Sequence, residues 1–198
     1  MRNKIFNILS YGETLKYWHN YHKVWFPADF ITIGVNDVGR YTEVDYLLLV
    51  DGPEQFTPER LDIVKRTLPY NNFVLSTNWM KFLDRCVPIT LASERRSLKT
   101  LDDPLNFSNL PFSYNSPFIA AILAYRMEAQ TINLFGIDFN TDSCPEYRRQ
   151  NIYDWHNLYN ALTKKGIKVF TCPGSQLEAF IPINPNINYQ LKKTPQYV

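Results

Sequence analysis

Glycine is scarce, with only 7 among the 198 residues. Few positions can take a positive φ cheaply, so each glycine in a predicted loop marks a turn or a close approach. Cysteine and histidine are equally scarce, three of each. Cys86, Cys144 and Cys172 are odd in number, far apart and without CxxC spacing. That excludes a disulfide framework and points to structural thiols in a reducing, cytoplasmic setting. Neither the cysteines nor the histidines show metal-ligand spacing, so no metal is expected. An excess of one charge is missing too: 21 Lys and Arg against 19 Asp and Glu leave +2. Nucleic-acid readers tend to a pI above ~9 with a basic stripe. A pI of about 8.3 with no long basic run argues against that class. No apolar run approaches the ~18–20 residues that cross a bilayer, so no stable membrane insertion is expected. The first ten residues lack the long apolar core of a signal peptide and read as a first strand.

What is present describes a globular chain: 45% hydrophobic, 15% aromatic and 20% charged residues, at a length suited to one domain. Short apolar, β-branched runs fall at 5–9, 30–35, 46–50, 72–76, 87–91, 131–135 and 168–171. They are continuous rather than alternating, the mark of strands buried on both faces. Between them lie helical stretches at 14–21, 57–67, 79–85, 118–128 and 152–164. Thr57-Pro58-Glu59 supplies an N-cap, a proline at the first position and an acid in the first turn. In 152–164, Trp155, Leu158, Tyr159 and Leu162 recur at helical spacing. Residues 93–113 read as a long irregular excursion, 142–149 as a polar loop or cap, and 182–198 as an extended tail after a single domain at 1–181. The alternation predicts an α/β fold: a single doubly wound, mostly parallel, Rossmann-like sheet with helices on both faces.

Ligands of such sheets bind outside the carboxyl ends of the strands. Here those ends are polar: Tyr11-Gly12-Glu13-Thr14, Asn36-Asp37, Asp51-Gly52, Gly136-Ile137-Asp138 and Cys172-Pro173-Gly174-Ser175, joined by Asn115-Ser116 before a helix. Thr14 and Ser116 stand at helix N-termini, where free N–H groups and the dipole favour phosphate. Taken singly, each of these residues also reads as an ordinary cap or turn former. Their meeting at one edge predicts a site lined by Gly12, Asn36, Asp51, Ser116 and Asp138.

These segments resemble the bacterial lipooligosaccharide sialyltransferases and the related motility-accessory and hydroxymethylpterin-pyrophosphokinase-like proteins. Leu9-Ser10-Tyr11-Gly12-Glu13-Thr14-Leu15 is similar to their Asn-Gly-Pro-Ser-Leu loop. Asn115-Ser116-Pro117 is similar to their Thr-Ser-Gly helix start. Leu134-Phe135-Gly136-Ile137-Asp138-Phe139 resembles their Ser-Gly-Ile-Asp-Phe strand end, the most specific of the matches. Cys172-Pro173, Ser175 and Leu177 resemble their late Cys-Pro-Asn-Ser-Leu segment. The resemblance implies a glycosyltransferase acting on a nucleotide-activated sugar, with a CMP-linked donor in view, no other cofactor and a glycan or other small-molecule acceptor. It implies phosphate at Gly12 and Thr14, ribose or base at Asn36 and Asp51, and the phosphate or a donor carboxylate at Ser116. It places Asp138 near base and ribose, and makes Ser175 part of the same edge. A homo-oligomer is compatible with this reading.

The chain departs from that pattern at several points. Tyr11 and Glu13 replace the loop asparagine and proline, Asp51 replaces an asparagine, and the segment carrying the family's histidine is short. Tyr147 and His156 are the candidates for its catalytic groups. Arg148 and Arg149 read either as a solvated pair or as a bidentate clamp on phosphate or carboxylate. Asp138 and Asp142 form no DxD pair, so a metal-dependent transferase is not indicated. Two alternatives stay open: a nucleotide-binding module without the base, and an ATP-using pyrophosphokinase that needs a metal.

Overall fold

The computed structural model describes residues 4–24, 30–67, 73–76, 86–87, 115–139, 145–187 and 189, with the backbone alone at 20–24, 73–76 and 86–87. Seven strands form one sheet: β1 (Ile5–Leu9), β2 (Phe30–Val35), β3 (Tyr46–Leu49), β4 (Phe73–Ser76), β5 (Cys86–Val87), β6 (Thr131–Phe135) and β7 (Lys168–Phe170). Their order is β5-β4-β3-β2-β1-β6-β7, and every neighbouring pair is parallel. The order reverses between β1 and β6, which makes that gap the topological switch point. The helix expected at 79–85, the remainder of the fifth strand, the excursion at 93–113, Cys144, His22, Trp25 and Trp79 lie outside the described residues or their side chains.

Helices cover both faces. α1 (Leu15–Val24) and α2 (Pro58–Thr67) lie on one. There Leu15, Trp18 and Val64 pack with Leu9, Leu47, Leu49 and Phe135. α3 (Ser116–Arg126) and α4 (Pro145–Lys164) lie on the other. There Phe118, Ile119, Trp155, Leu158 and Leu162 pack with Phe6, Ile8, Ile33 and Leu134. Alternate residues of β1, β3 and β6 thus serve two cores, which is why these runs carry no regular polar alternation. Burying Leu158 or Leu162 stabilises by about 1.5–3 kcal/mol each. No helix among the described residues is long and apolar enough to cross a membrane.

Asparagines inside the strands bond to one another, although Asn7 Nδ2 is left without a partner among the described residues. Asn7 and Asn133 face each other across β1 and β6, and Asn133 Nδ2 donates to Asn7 Oδ1 at 2.9 Å. Asn184 Nδ2 donates in turn to Asn133 Oδ1 at 2.8 Å. Pro182 O accepts from Thr171 N, and Ile187 is buried against the α1 face. Residues 182–187 are thereby held on the sheet. Cys172 is buried and free, and burial pushes its thiol well above the usual range. It stays a thiol, in keeping with a structural role.

Helix boundaries differ from the sequence reading by two or three residues at α1 and α3, and by more at the start of α4. α4 begins at Pro145, so Tyr147, Arg148 and Arg149 sit on its first turns rather than in a polar loop. Pro145 at the start and Glu146 behind it are good N-terminal residues. They outweigh a stretch with little apolar periodicity.

The starts of α3 and α4 are tied together. Asn115 Oδ1 caps α3 by accepting from Phe118 N at 3.0 Å and also accepts from Trp155 Nε1 at 3.2 Å. Asn115→Ala removes the cap and strands a buried indole N–H. It should destabilise by about 2–4 kcal/mol in urea unfolding. A loss under about 0.5 kcal/mol would contradict this assignment.

Candidate functional site

The parallel order brings every strand's carboxyl end to one edge, and the predicted residues collect there in two groups. The first group closes the switch point. Thr14, 3% exposed, opens α1, and Asp138, 6% exposed, follows β6. Asp138 Oδ2 accepts from Thr14 N at 2.9 Å, and Asp138 Oδ1 accepts from the Thr14 hydroxyl. Thr14 Oγ1 accepts from Gly136 N at 2.9 Å, and Gly12 N donates to Gly136 O at 2.9 Å. A buried carboxylate therefore caps the first helix from within the protein. The loops can approach this closely only without side chains. A Cβ on Gly12 would lie 2.5 Å from Asp138 Oδ2 and 2.6 Å from Gly136 O. Gly136, at φ +71°, would drive a Cβ into Ser10 O. Glu13 points outward and is exposed, as a phosphate-binding edge would require.

This clasp continues to β7. Ser175 Oγ donates to Ile137 O at 2.7 Å and accepts from Leu177 N at 3.2 Å. Gln176 N donates to Asp138 O at 3.1 Å. Ser175 thus hangs a short 3-10 turn, Gln176–Ala179, on the β6 loop. The hydrogen-bonding capacity of Thr14, and much of that of Ser175, is already met inside the chain.

The second group lies over β2 and β3. Asn36 has φ 54°, a left-handed conformation that asparagine tolerates, and its N–H donates to Leu48 O at 3.1 Å. Its Oδ1 is buried and, like Asn7 Nδ2 and Thr171 Oγ1, has no hydrogen-bond partner among the described residues, a condition that native structures rarely leave without a reason. Asp37 is buried, and Arg60 Nη2 donates to its Oδ1 at 2.8 Å. The Arg60 guanidinium lies 4.8 Å from the Phe56 ring centroid. Asp51 is half-buried at the end of β3; its burial and neighbouring Glu54 hold its carboxyl above the usual range, against the pull of Arg60. Arg60 was not singled out from the sequence, although Thr57 and Pro58 fix the start of α2 and hence its place on the first turn. Arg60 N donates to Thr57 Oγ1 at 3.4 Å, confirming the cap.

Ser116 is buried at the start of α3. Tyr147 and Arg149 are exposed and Arg148 half-buried on the first turns of α4. His156 is exposed further along α4, its ring edge-on to Phe180 at 5.2 Å, with Nδ1 3.4 Å from Asn160 Nδ2. Nine residues at 1.5 Å put it roughly 13 Å along the helix from Tyr147, so the two do not meet through the helix. Among the described residues no group of three His, Cys, Asp or Glu side chains is placed to hold a metal ion.

No family model matches the chain, and no curated protein matches it. Solved structures do. A mutant of the alpha-2,3/8-sialyltransferase CstII superposes with a TM-score of 0.58 at 18% identity, covering 96% of this chain and 90% of that one. CstII from Campylobacter jejuni in complex with the substrate analogue CMP-3FNeuAc gives 0.58 at 19%, covering 96% and 89%. CST-II with a trisaccharide acceptor and CMP gives 0.57 at 17%, covering 96% and 89%. This chain has their fold. The α/β expectation from the sequence is met among the described residues.

Two measurements test the site's electrostatics. Thr14→Val keeps the shape but leaves the Gly136 N–H without its acceptor and removes a donor to Asp138; denaturant unfolding should show a loss of about 2–4 kcal/mol. Asp51 has a raised folded pKa, so the folded state binds its proton more tightly and stability falls as pH rises through the interval from the unfolded to the folded pKa. Asp51→Asn should therefore raise Tm at pH 7, and the gain should shrink as pH falls towards 4. A gain that persists or grows at low pH would contradict the assignment.

Proposed function

We propose that this protein is a glycosyltransferase that uses a nucleotide-activated sugar, of the sialyltransferase type, and that it works without a metal. What carries the reading is that a chain with the sialyltransferase fold over 96% of its length presents its polar strand ends at the edge where such sheets bind ligands. A buried, unpartnered amide oxygen sits among them at Asn36.

The clasp dictates the layout. With the N-terminus of α1 capped by Asp138, Thr14 and Gly12 serve the site by shaping its floor. The nucleoside lies over β2 and β3, against Asn36 and Asp51. The phosphate and donor sugar extend towards Ser116 and the first turns of α4, where Arg148 and Arg149 supply cations for bidentate contact. In the reaction the acceptor hydroxyl oxygen bonds to the anomeric carbon as the bond from that carbon to the phosphate oxygen breaks. The electron pair leaves with the nucleotide, and the hydroxyl proton passes to a base. Charge developing on the leaving phosphate needs fixed donors. Tyr147 and His156 are the groups proposed for proton transfer. The acceptor is a glycan or another small hydroxyl compound, and the setting is cytoplasmic.

A second reading has a specific observation behind it. His156 stands well along α4 from Tyr147, with its ring against Phe180. That separation favours a module that binds nucleotide without turning it over.

The two readings part in a binding and turnover experiment. A cytidine nucleotide at ~100 times its dissociation constant adds ~2.7 kcal/mol, a Tm rise of roughly 5–10 °C for a domain of this size. The transferase reading expects that rise without magnesium. It also expects His156→Ala to lower donor turnover by ~10²–10⁴-fold with binding retained. Binding with no turnover of any donor sugar selects the module, and a shift that needs magnesium selects a pyrophosphokinase-like enzyme. No shift with any nucleotide or nucleotide sugar contradicts all three.

A further inference from the structure

Arg60 joins three strand-end loops. It sits on the first turn of α2, its Nη2 donates to Asp37 Oδ1 at 2.8 Å beyond β2, and its guanidinium stacks on Phe56 from the loop after β3. Tyr11 from the loop after β1 and Asp51 from the end of β3 are both within its electrostatic reach. The pair is held in place: the Asp37 side chain is 12% exposed and that of Arg60 34%. Among the described residues Asp37 is the only hydrogen-bond partner of the Arg60 side chain. One of five guanidinium donors is used, and four remain for water or a ligand.

The charge around Arg60 decides which ligand suits it. Among the described residues Arg60 is ion-paired with Asp37 and feels Asp51, Asp51 in turn feels Glu54, and Arg40 is engaged with Glu59 at 3.5 Å. A phosphate placed here meets more negative charge than positive. An uncharged group with both donors and acceptors meets what the cluster offers: guanidinium donors from Arg60 and the Asp51 carboxylate as acceptor. Tyr11, 57% exposed, adds a ring for stacking. That set matches the edge of a nucleobase. Arginine pairs with ring nitrogen and carbonyl acceptors, and carboxylates accept from exocyclic amines.

We propose that Arg60 and Asp51 are specificity-determining residues that read the nucleobase. Arg60 donates to a ring acceptor and Asp51 accepts from the adjacent exocyclic amine. The site therefore selects an amino-bearing base, cytosine or adenine, over its oxo counterpart, uracil or hypoxanthine. Asp37 is a positioning residue that fixes the guanidinium over Phe56. The assignment deepens the nucleotide reading above and rests on it.

The test is calorimetric titration of the whole chain with cytidine and uridine monophosphates, and with adenosine and inosine monophosphates. In whichever pair binds, the amino member should be favoured by at least about tenfold, the low end of one good side-chain–base pair. Asp51→Asn replaces a pure acceptor with an amide that also donates, so the ratio should fall below about threefold. Arg60→Gln should weaken the amino member by about tenfold or more while leaving Tm within a few degrees of the parent. Measurable binding with a ratio near one, or with the parent ratio kept in Asp51→Asn, overturns the base-reading assignment and leaves the nucleotide reading standing. Absence of binding by all four overturns both.

Discussion

The carboxylate of Asp138 at the start of α1 is the interaction on which the rest of the edge depends. It satisfies the Thr14 N–H and hydroxyl, completes the helix terminus as a capping acid does, and draws the β1 and β6 loops together through Gly136. Ser175 and Gln176 then hang the β7 loop on the same segment. In an open α/β sheet the switch point is the natural crevice for a ligand. Here its base is closed by the protein's own groups. In the proposed layout the nucleoside is therefore set towards β2 and β3 and the phosphate towards the starts of α3 and α4.

The electrostatics follow the same division. A net charge of +2 gives no global field to draw an anion in, so recognition rests on local arrangement. Among the described residues over β2 and β3, Asp37, Asp51 and Glu54 outnumber Arg60, which is paired with Asp37, and an amide oxygen lies buried without a donor. That half suits a neutral, hydrogen-bonding partner. The start of α4 carries Arg148 and Arg149, and that half suits an anion. A ligand with a neutral aromatic head and an anionic middle spans both, which is the shape of a nucleotide.

The strands were legible because each is a continuous apolar run, and their parallel pairing follows from burial on both faces. The cap at Thr57 and the Asn115 helix start were legible from capping chemistry. The start of α4 was not, because residues 145–151 are polar and their helical state is set by Pro145 and by contacts such as Gln150 Nε2 to Asp154 Oδ1 at 2.7 Å. The positions of Gly12, Thr14 and Asp138 could be placed at one edge from the strand order. Their mutual hydrogen bonding could not, since it joins residues 124 apart in sequence. The Asn7–Asn133–Asn184 chain is invisible for the same reason. Arg60 carries no motif in the sequence; its place is set by Asp37 and Phe56, which come from other loops.

In the proposed function, ligand binds at the carboxyl edge, over β2 and β3 and the starts of α3 and α4. Hydrogen–deuterium exchange with and without saturating cytidine monophosphate tests it most directly, since backbone protection reports where the chain is ordered by ligand. The account predicts protection in peptides covering residues 36–38, 50–56 and 115–118, with little change at 128–131 and 165–168 on the opposite edge. Protection confined to that opposite edge, under conditions where the nucleotide is bound, would contradict it.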